Sequence, residues 1–353
     1  MKTINRAIYL FMFLFPLALI LNLLPLSPLP QALAVSIDAE YARLIADAKR
    51  EGTVVWYTTT AADSNEAMRI GFQKKYPFLK AEVYRNNNPN LLTRITNEAR
   101  AGRNAWDVVS IAGFETYILK KENFLAKYVS PEFAAIPDKF KDADGYWTSL
   151  YLNPLVFGYN TKLVVPQDLP HSYDDLLNPK WKGKMAFDAK DVEWFANMLK
   201  IKGEQKGLEF MDKLSRQNLV LLVGHTLQTQ LLAAGEFSSG VNNYSFTVQD
   251  MKEKGAAVDW LALDPVITYL YAASASAKAP HPNSARLLLN FMLSKEGQSI
   301  LRDCGRIPAR ADVLPKSARL VKNITFVPSD NSLATNFTQY QKQFRKFFSK
   351  RQE

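Results

Sequence analysis

The sequence predicts an α/β protein: mixed, mostly parallel sheets flanked by helices, in two lobes on a two-strand hinge. Three observations carry that prediction. Short apolar runs alternate with amphipathic stretches from Tyr41 to Lys121, the pattern of successive β-α units in a largely parallel sheet. A second series of the same kind begins after Leu163. The two are joined by aromatic strands that proline interrupts or opens, "GYWTSLYLNPLVFGYNTKL" at 145–163 and "PVITYLYAASAS" at 265–276.

In chain order, "TVVWY" at 53–57 is a short apolar run bounded by Gly52 and a threonine cluster, hence a buried strand. "SNEAMRIGFQKKYP" follows as a helix, with Ser64 as N-cap and Pro77 as the stop. "AEVY" is the next strand. In the helix "NLLTRITNEARAG", Leu91, Leu92, Ile95 and Ala99 share a face and Gly102 ends it. "WDVVSIAG" is another buried strand, leading into the short helix "FETYILKKE". In the second series "SYDDLL" is a helical turn, "KMAFD" a strand, and two helices cover 191–216. "NLVLLVGHTLQTQLLAAGE" reads as strand, Gly-His-Thr turn and helix, closing at Gly235. "SSGVNNYSF" and "AVDWLALDP" are strands around the helix "TVQDMKEKG", and "NSARLLLNFMLSKEGQSILRDCG" gives two amphipathic helices.

If the chain leaves the first lobe along 151–159 and returns near 265–271, the second lobe is an insertion. Two short parallel crossovers then make a hinge beside a cleft. Proline donates no ladder hydrogen bond, so Asn153-Pro154 is expected where the chain passes from one sheet to the other. The aromatics of "YWTSLY", Trp147 among them, would line the cleft wall. The expected boundaries are 1–34 for a leader, 35–152 with 267–315 for one lobe, and 153–266 with 316–353 for the other.

Residues 1–34 have the parts of a cleavable export signal: Lys2 and Arg6, the apolar run "AIYLFMFLFPLALIL", and Ala32-Leu33-Ala34 before the cut. That run is shorter than the roughly 18 apolar residues of a spanning helix. The expected location is therefore the periplasm. The lone Cys304 cannot form an intramolecular disulfide, so the core must hold the fold, and buried packing is the expected role of the thiol. The formal charge is +10, with basic residues scattered among acidic ones except in the tail "KQFRKFFSKRQE". No nucleic-acid motif accompanies them. The balance reads as a solvated basic surface or as help for an anionic ligand, in a monomer without a nucleic-acid partner.

A set of segments, "AKREGTVVWYTTT", "LLTRITNEARAGRNAWDVV", "YWTSLYLNPLVFGYNTKLV", "SYDDLLNPKWKGKMAF", "LLAAGEFSSGVNN", "APHPNSARLLLNFMLSKEGQSIL" and "GRIPAR", runs in order over most of the chain. Together they resemble the periplasmic substrate-binding proteins of ABC importers, in the type II group that includes ferric-iron-binding proteins. The resemblance implies two α/β lobes that close over a solute and deliver it to a membrane permease driven by a cytoplasmic ATPase. It implies no catalysis and no resident cofactor; a ferric ion would be cargo. Related iron binders often use adjacent tyrosines, whereas "VNNYSF" keeps Tyr244 beside Ser245. Losing one phenolate removes an anionic oxygen that a hard trivalent ion favours. Glu115 and Tyr244 are the ligands if the cargo is iron; an anionic organic or phosphorus-containing compound is preferred. A sensory module for a membrane receptor is a further alternative.

Ligands of open α/β sheets sit beyond the carboxyl ends of strands, where helix N-termini present free N–H groups. Three turns meet that description. Thr58, Thr59 and Thr60 follow the first strand, as ligand contacts or as plain turn chemistry. Gly113 allows close backbone approach next to Glu115. Gly224, His225 and Thr226 open a helix whose dipole favours an anion. Asn153, Trp147 and Tyr244 complete the candidate ligand-binding set. Arg306 meets either the ligand or a carboxylate that ties the C-terminal helices to the sheet, and the bridge is the favoured expectation. His171 reads as a loop or helix-start residue, and His281 sits between two prolines on the surface. No histidine pair has metal-site spacing, and no GxSxG elbow is present.

Overall fold

In the computed structural model, which describes residues 31–348 and side chains from residue 39, Gly52 at a φ of 70° turns a first helix, α1 (Gln31–Glu51), into β1 (Thr53–Thr58). Residues 1–30 of the expected leader lie outside the described residues. By its contacts the chain divides at Arg43, and the described residues from Leu44 onward form one unit. In that unit α2 (Ala62–Lys75), β2 (Lys80–Arg85), α3 (Asn88–Arg100), β3 (Val108–Ala112) and α4 (Gly113–Lys121) complete the first series. The long β4 (Thr148–Asn160) leads to the second: β5 (Met185–Asp188), α5 (Val192–Lys202), α6 (Glu204–Ser215), β6 (Val220–Leu222), α7 (His225–Ala234), β7 (Ser239–Tyr244), α8 (Ser245–Glu253) and β8 (Val258–Leu261). The chain returns through β9 (Val266–Ala275) to α9 (Pro282–Leu293), α10 (Lys295–Asp303), β10 (Ile307–Pro308), β11 (Phe326–Pro328), the 3₁₀ turn Asn331–Asn336 and α11 (Phe337–Phe348).

The strands are ordered β2-β1-β3-β9-β4-β7-β5-β6, with β8 and β10 also on β4 and β11 on β9. Parallel pairing is kept to the flanks, β2-β1-β3 on one side and β7-β5-β6 on the other, and to β11 on β9. The two crossing strands run antiparallel to each other and to β3 and β7. The expected parallel crossovers are thus corrected. One strand leaves the first region and the other returns to it, so lying side by side they must point in opposite directions.

Pro154 occupies a definite place in this arrangement. From Thr148 to Pro154 β4 pairs with β9, and from Leu155 onward it pairs with β7. The proline therefore stands at the change of partner, where a missing N–H is least costly.

The buried apolar residues form two main clusters, the first of which runs from the first series into the second through Ala186, Leu232, Val248 and Trp260. Around β1 and β9, Phe72 of α2 meets Phe291 of α9 edge-on at 5.7 Å between ring centres. The second core gathers Phe187, Trp194, Phe195, Phe344 and Phe348, which brings α11 onto the face of β5 and α5. One expected cap is also corrected. Ala61, not Ser64, precedes α2, and Ser64 is buried in its first turn. Ala61 offers no side-chain cap, and within the first turn the Asp63 carboxylate accepts the Ser64 N–H at 2.7 Å.

Candidate functional site

Strand alternation builds the floor of the cleft. Tyr151 pairs with Tyr271 and Asn153 with Tyr269 across β4 and β9, so these four share one face, while Leu152 and Leu270 turn into the core. The rings of Tyr151 and Tyr271 stack with centres 4.8 Å apart and planes 15° from parallel. Above this floor lies a cavity of about 820 Å³, within the size range of small-molecule sites. Asn153 is 2 % exposed and lines it, and its Oδ1 has no hydrogen-bond partner. A buried acceptor without a donor costs on the order of 1–3 kcal/mol, which a bound donor would recover.

The wall formed by the first region is cationic. Arg306 leaves α10 with its side chain 11 % exposed. Its guanidinium lies 4.6 Å from the Phe246 ring centre and 5.8 Å from that of Tyr151. Its Nε donates to Ser64 Oγ at 3.2 Å, and its one carboxylate neighbour among the described residues, the largely exposed Asp63, stands 3.7 Å away. Arg85 gives its Nε to the Thr60 carbonyl at 2.8 Å and has no carboxylate partner among the described residues. Thr59 adds a buried hydroxyl oxygen without a partner. Cys304 lies on this wall as well, half-buried rather than packed in the core as expected; it follows the last turn of α10 directly, and burial pushes its thiol up.

The opposite wall is aromatic with acids behind it. Tyr244 ends β7, and its ring lies 4.2 Å from that of His225, centre to centre, and 5.7 Å from Phe246. Behind it, His225 Nε2 is 3.7 Å from Asp188 and 3.6 Å from Asp191. Tyr269 donates to Asp191, which also accepts from Asn242 at 2.6 Å. Burial first, and then the charges of Tyr271, Asp191, Glu193 and Asp188, pushes the Tyr244 phenol well above its ordinary range. Burial, with Glu115 and Asp191 adding to it, does the same to the Glu193 carboxyl. Burial alone pushes Glu115 up to about 7. Among the described residues, neither Glu115 nor Glu193 has a lysine or arginine partner, and no three His, Cys, Asp or Glu side chains are grouped to hold a metal.

Three helices open at the cavity with no side-chain cap: α2, α7 and α8. Their first N–H groups and their dipoles favour negative charge. At α2 and α7 part of that capacity is used, because Ser64 N donates to Asp63 at 2.7 Å and Gly224 N to Asp188 at 2.9 Å.

Of the expected site residues, Thr59, Asn153, Thr226 and Tyr244 meet at the cavity. Thr58 and Thr60 lie behind it. Thr58 Oγ1 holds Asn65, Ser110 and the Thr60 N–H, and Thr60 Oγ1 accepts from Tyr151. His225 packs beneath Tyr244. Trp147 stands elsewhere, against the first core, since it lies four residues before Tyr151 and beyond the bulge in β4. Gly113 does permit a close approach, but to the chain itself: a Cβ there would meet Asn331 Oδ1 at 2.3 Å. Glu115 sits on α4 beside that contact, electrostatically coupled to Tyr271 and Glu193. Tyr151 is one of the aromatics of "YWTSLY" expected on the cleft wall, and it lines the cavity; Tyr271, Arg85 and the acids Asp188, Asp191 and Glu193 were not singled out beforehand. The acids carried a readable signal, since "FDAKDVEW" places them just past the carboxyl end of a strand.

A sequence profile described as "Bacterial extracellular solute-binding protein" matches residues 107–332. The chain belongs to this family. Among curated relatives, a Serratia marcescens "Fe(3+)-binding periplasmic protein" is 25% identical over 179 residues, 48% of this chain and 53% of that protein. A Salmonella typhimurium "Putative 2-aminoethylphosphonate-binding periplasmic protein" is 27% identical over 206 residues, 55% and 59% of the two chains. The chain thus spans a little over half the length of these family members. Iron-bound HitA from Pseudomonas aeruginosa superposes with a TM-score of 0.73 at 21% identity, covering 83% of this chain and 99% of that one. The type II periplasmic binding fold is therefore that of this protein. Among the described residues no helix is long and apolar enough to cross a membrane.

Proposed function

We propose that the protein is the periplasmic substrate-binding component of an ABC importer, capturing a small anionic organic or phosphorus-containing solute between two closing lobes. The lobes would be 35–152 with 267–315 and 153–266 with 316–353, after removal of a signal peptide at 1–34. A membrane permease and its ATPase would receive the solute from a monomeric, non-catalytic carrier. The observation that carries the anionic reading is Arg306, a mostly buried guanidinium on the cavity wall whose only acidic neighbour among the described residues is solvent-facing and 3.7 Å away. Burying such a charge needs compensation, and an anion entering among Arg306, Arg85 and three uncapped helix starts supplies it.

A second reading, ferric capture, draws on the phenols of Tyr151, Tyr244 and Tyr271 around the same cavity, since hard cations favour anionic oxygen. One experiment separates the two. Thermal melts are run with a panel of phosphonates, sugar phosphates, carboxylates and ferric citrate. The anionic reading expects stabilisation of about 2.7 kcal/mol from a metal-free anion at a hundredfold excess over Kd. Stabilisation by ferric citrate alone, with a visible iron–tyrosinate colour, would replace it with the second reading.

A further inference from the structure

Arg306 lines the cavity, yet its contacts do little to neutralise it. Its Nε donates to Ser64 Oγ, and the largely exposed Asp63 stands 3.7 Å off. Ring surface covers the guanidinium instead: the Phe246 centre is 4.6 Å away and that of Tyr151 5.8 Å. Both distances lie within reach of a cation–π contact. A carboxylate in the place of Phe246 would hold the arginine and cancel its charge. A ring holds the planar fork by stacking and leaves the charge for a solute.

The two rings differ in origin. Tyr151 lies on β4 before the change of partner at Pro154, and Arg306 is tied to it locally, because the next residues, Ile307 and Pro308, pair with Leu152 and Tyr151. Phe246 lies beyond that change, in the first turn of α8. Its place is set from the second series: the Tyr244 ring is 5.7 Å away and 17° from parallel, and His225 is 4.2 Å from Tyr244 on its other contact. Arg306 thus stands where the two walls meet, with one ring from each. We infer that Phe246 is a positioning residue for Arg306, holding the guanidinium toward the cavity in an orientation that depends on the second wall being in place. A long side chain ordered before the solute arrives spares the binding step that cost. This rests on the anionic reading above and adds to it a contact through which approach of the walls is felt at the anion site.

Calorimetry on the full-length mature chain with inorganic phosphate, ethylphosphonate, glucose 6-phosphate and citrate reads the effect on binding. Phe246→Leu keeps apolar bulk and loses the ring. It should weaken the tightest of these anions by about fivefold or more, and Phe246→Tyr should restore most of that loss. Urea unfolding of the empty protein reads the contact itself: the destabilisation by Phe246→Leu should largely vanish in an Arg306→Gln background. Wild-type affinity in Phe246→Leu, or a loss that Phe246→Tyr leaves unrestored, overturns the proposal. Additive effects in the unfolding cycle also overturn it and reduce Phe246 to packing. The anionic reading survives those results while Arg306→Gln still weakens the same anion. Equal affinity in Arg306→Gln, or no binding of any of the four at millimolar concentration, overturns both.

Discussion

The two walls of the cavity are built from the same kind of unit, a strand running into a helix start, yet they carry opposite charge. After β1 the turn at Thr58–Thr60 satisfies most of its own polar groups, and the charge comes from Arg85 and Arg306, which reach in from the end of β2 and from the loop after α10. After β5 the acids are part of the turn itself, with Asp188 holding the start of α7 and Asp191 the start of α5. The first wall is open to exchange a weak partner for a ligand. The second is already bound into a buried network. The difference separates affinity, which the first wall supplies by charge, from shape and selectivity, which the second supplies by position.

Breaking the acidic wall should give the larger effect on the empty protein. Glu115 titrates near 7 in the folded chain against an ordinary 4.5, so the native state holds a proton that the unfolded state releases. Stability then falls as pH rises from about 4.5 to about 7 and stays low above it. At 1.36 kcal/mol per unit, and allowing for partial exposure, the loss is about 1–3 kcal/mol. Chemical denaturation at pH 5 and pH 8 should show Glu115→Gln more stable than wild type at the higher pH only. An equal difference at both values would mean that the carboxyl is not held protonated.

A smaller effect is expected at the aromatic contact. Tyr244→Phe keeps the ring and removes the hydroxyl, so affinity for any solute stabilising the wild type should fall by about tenfold, roughly 1.4 kcal/mol, with the melting temperature of the empty protein nearly unchanged. Unchanged affinity would confine Tyr244 to packing against His225 and Phe246.

The fold was legible because it rests on local signals. Alternating apolar runs marked the β-α units, and Asn153-Pro154 marked the change of strand partner. The site was less legible because it rests on register. Whether Thr58 or Thr59 faces the cavity is decided by a single alternation at the end of β1, and the pairing of Tyr151 with Tyr271 brings together residues more than a hundred positions apart. Arg306 was noticed as an isolated charge, but the sequence favoured a structural bridge. The geometry gives it a long, solvent-facing contact with Asp63 and a place on the cavity wall. Gly113 shows the converse case, a glycine whose close approach is explained by Asn331 of the C-terminal segment.

The central claim is that Arg306 anchors the anionic group of a captured solute. Calorimetric titration of wild type and Arg306→Gln with the anion giving the largest thermal shift tests it most directly. The account predicts one-site binding in the wild type and affinity at least a hundredfold weaker in the variant, a loss of about 2.7 kcal/mol, with the variant's fold intact by circular dichroism. Equal affinity in the two proteins would contradict it.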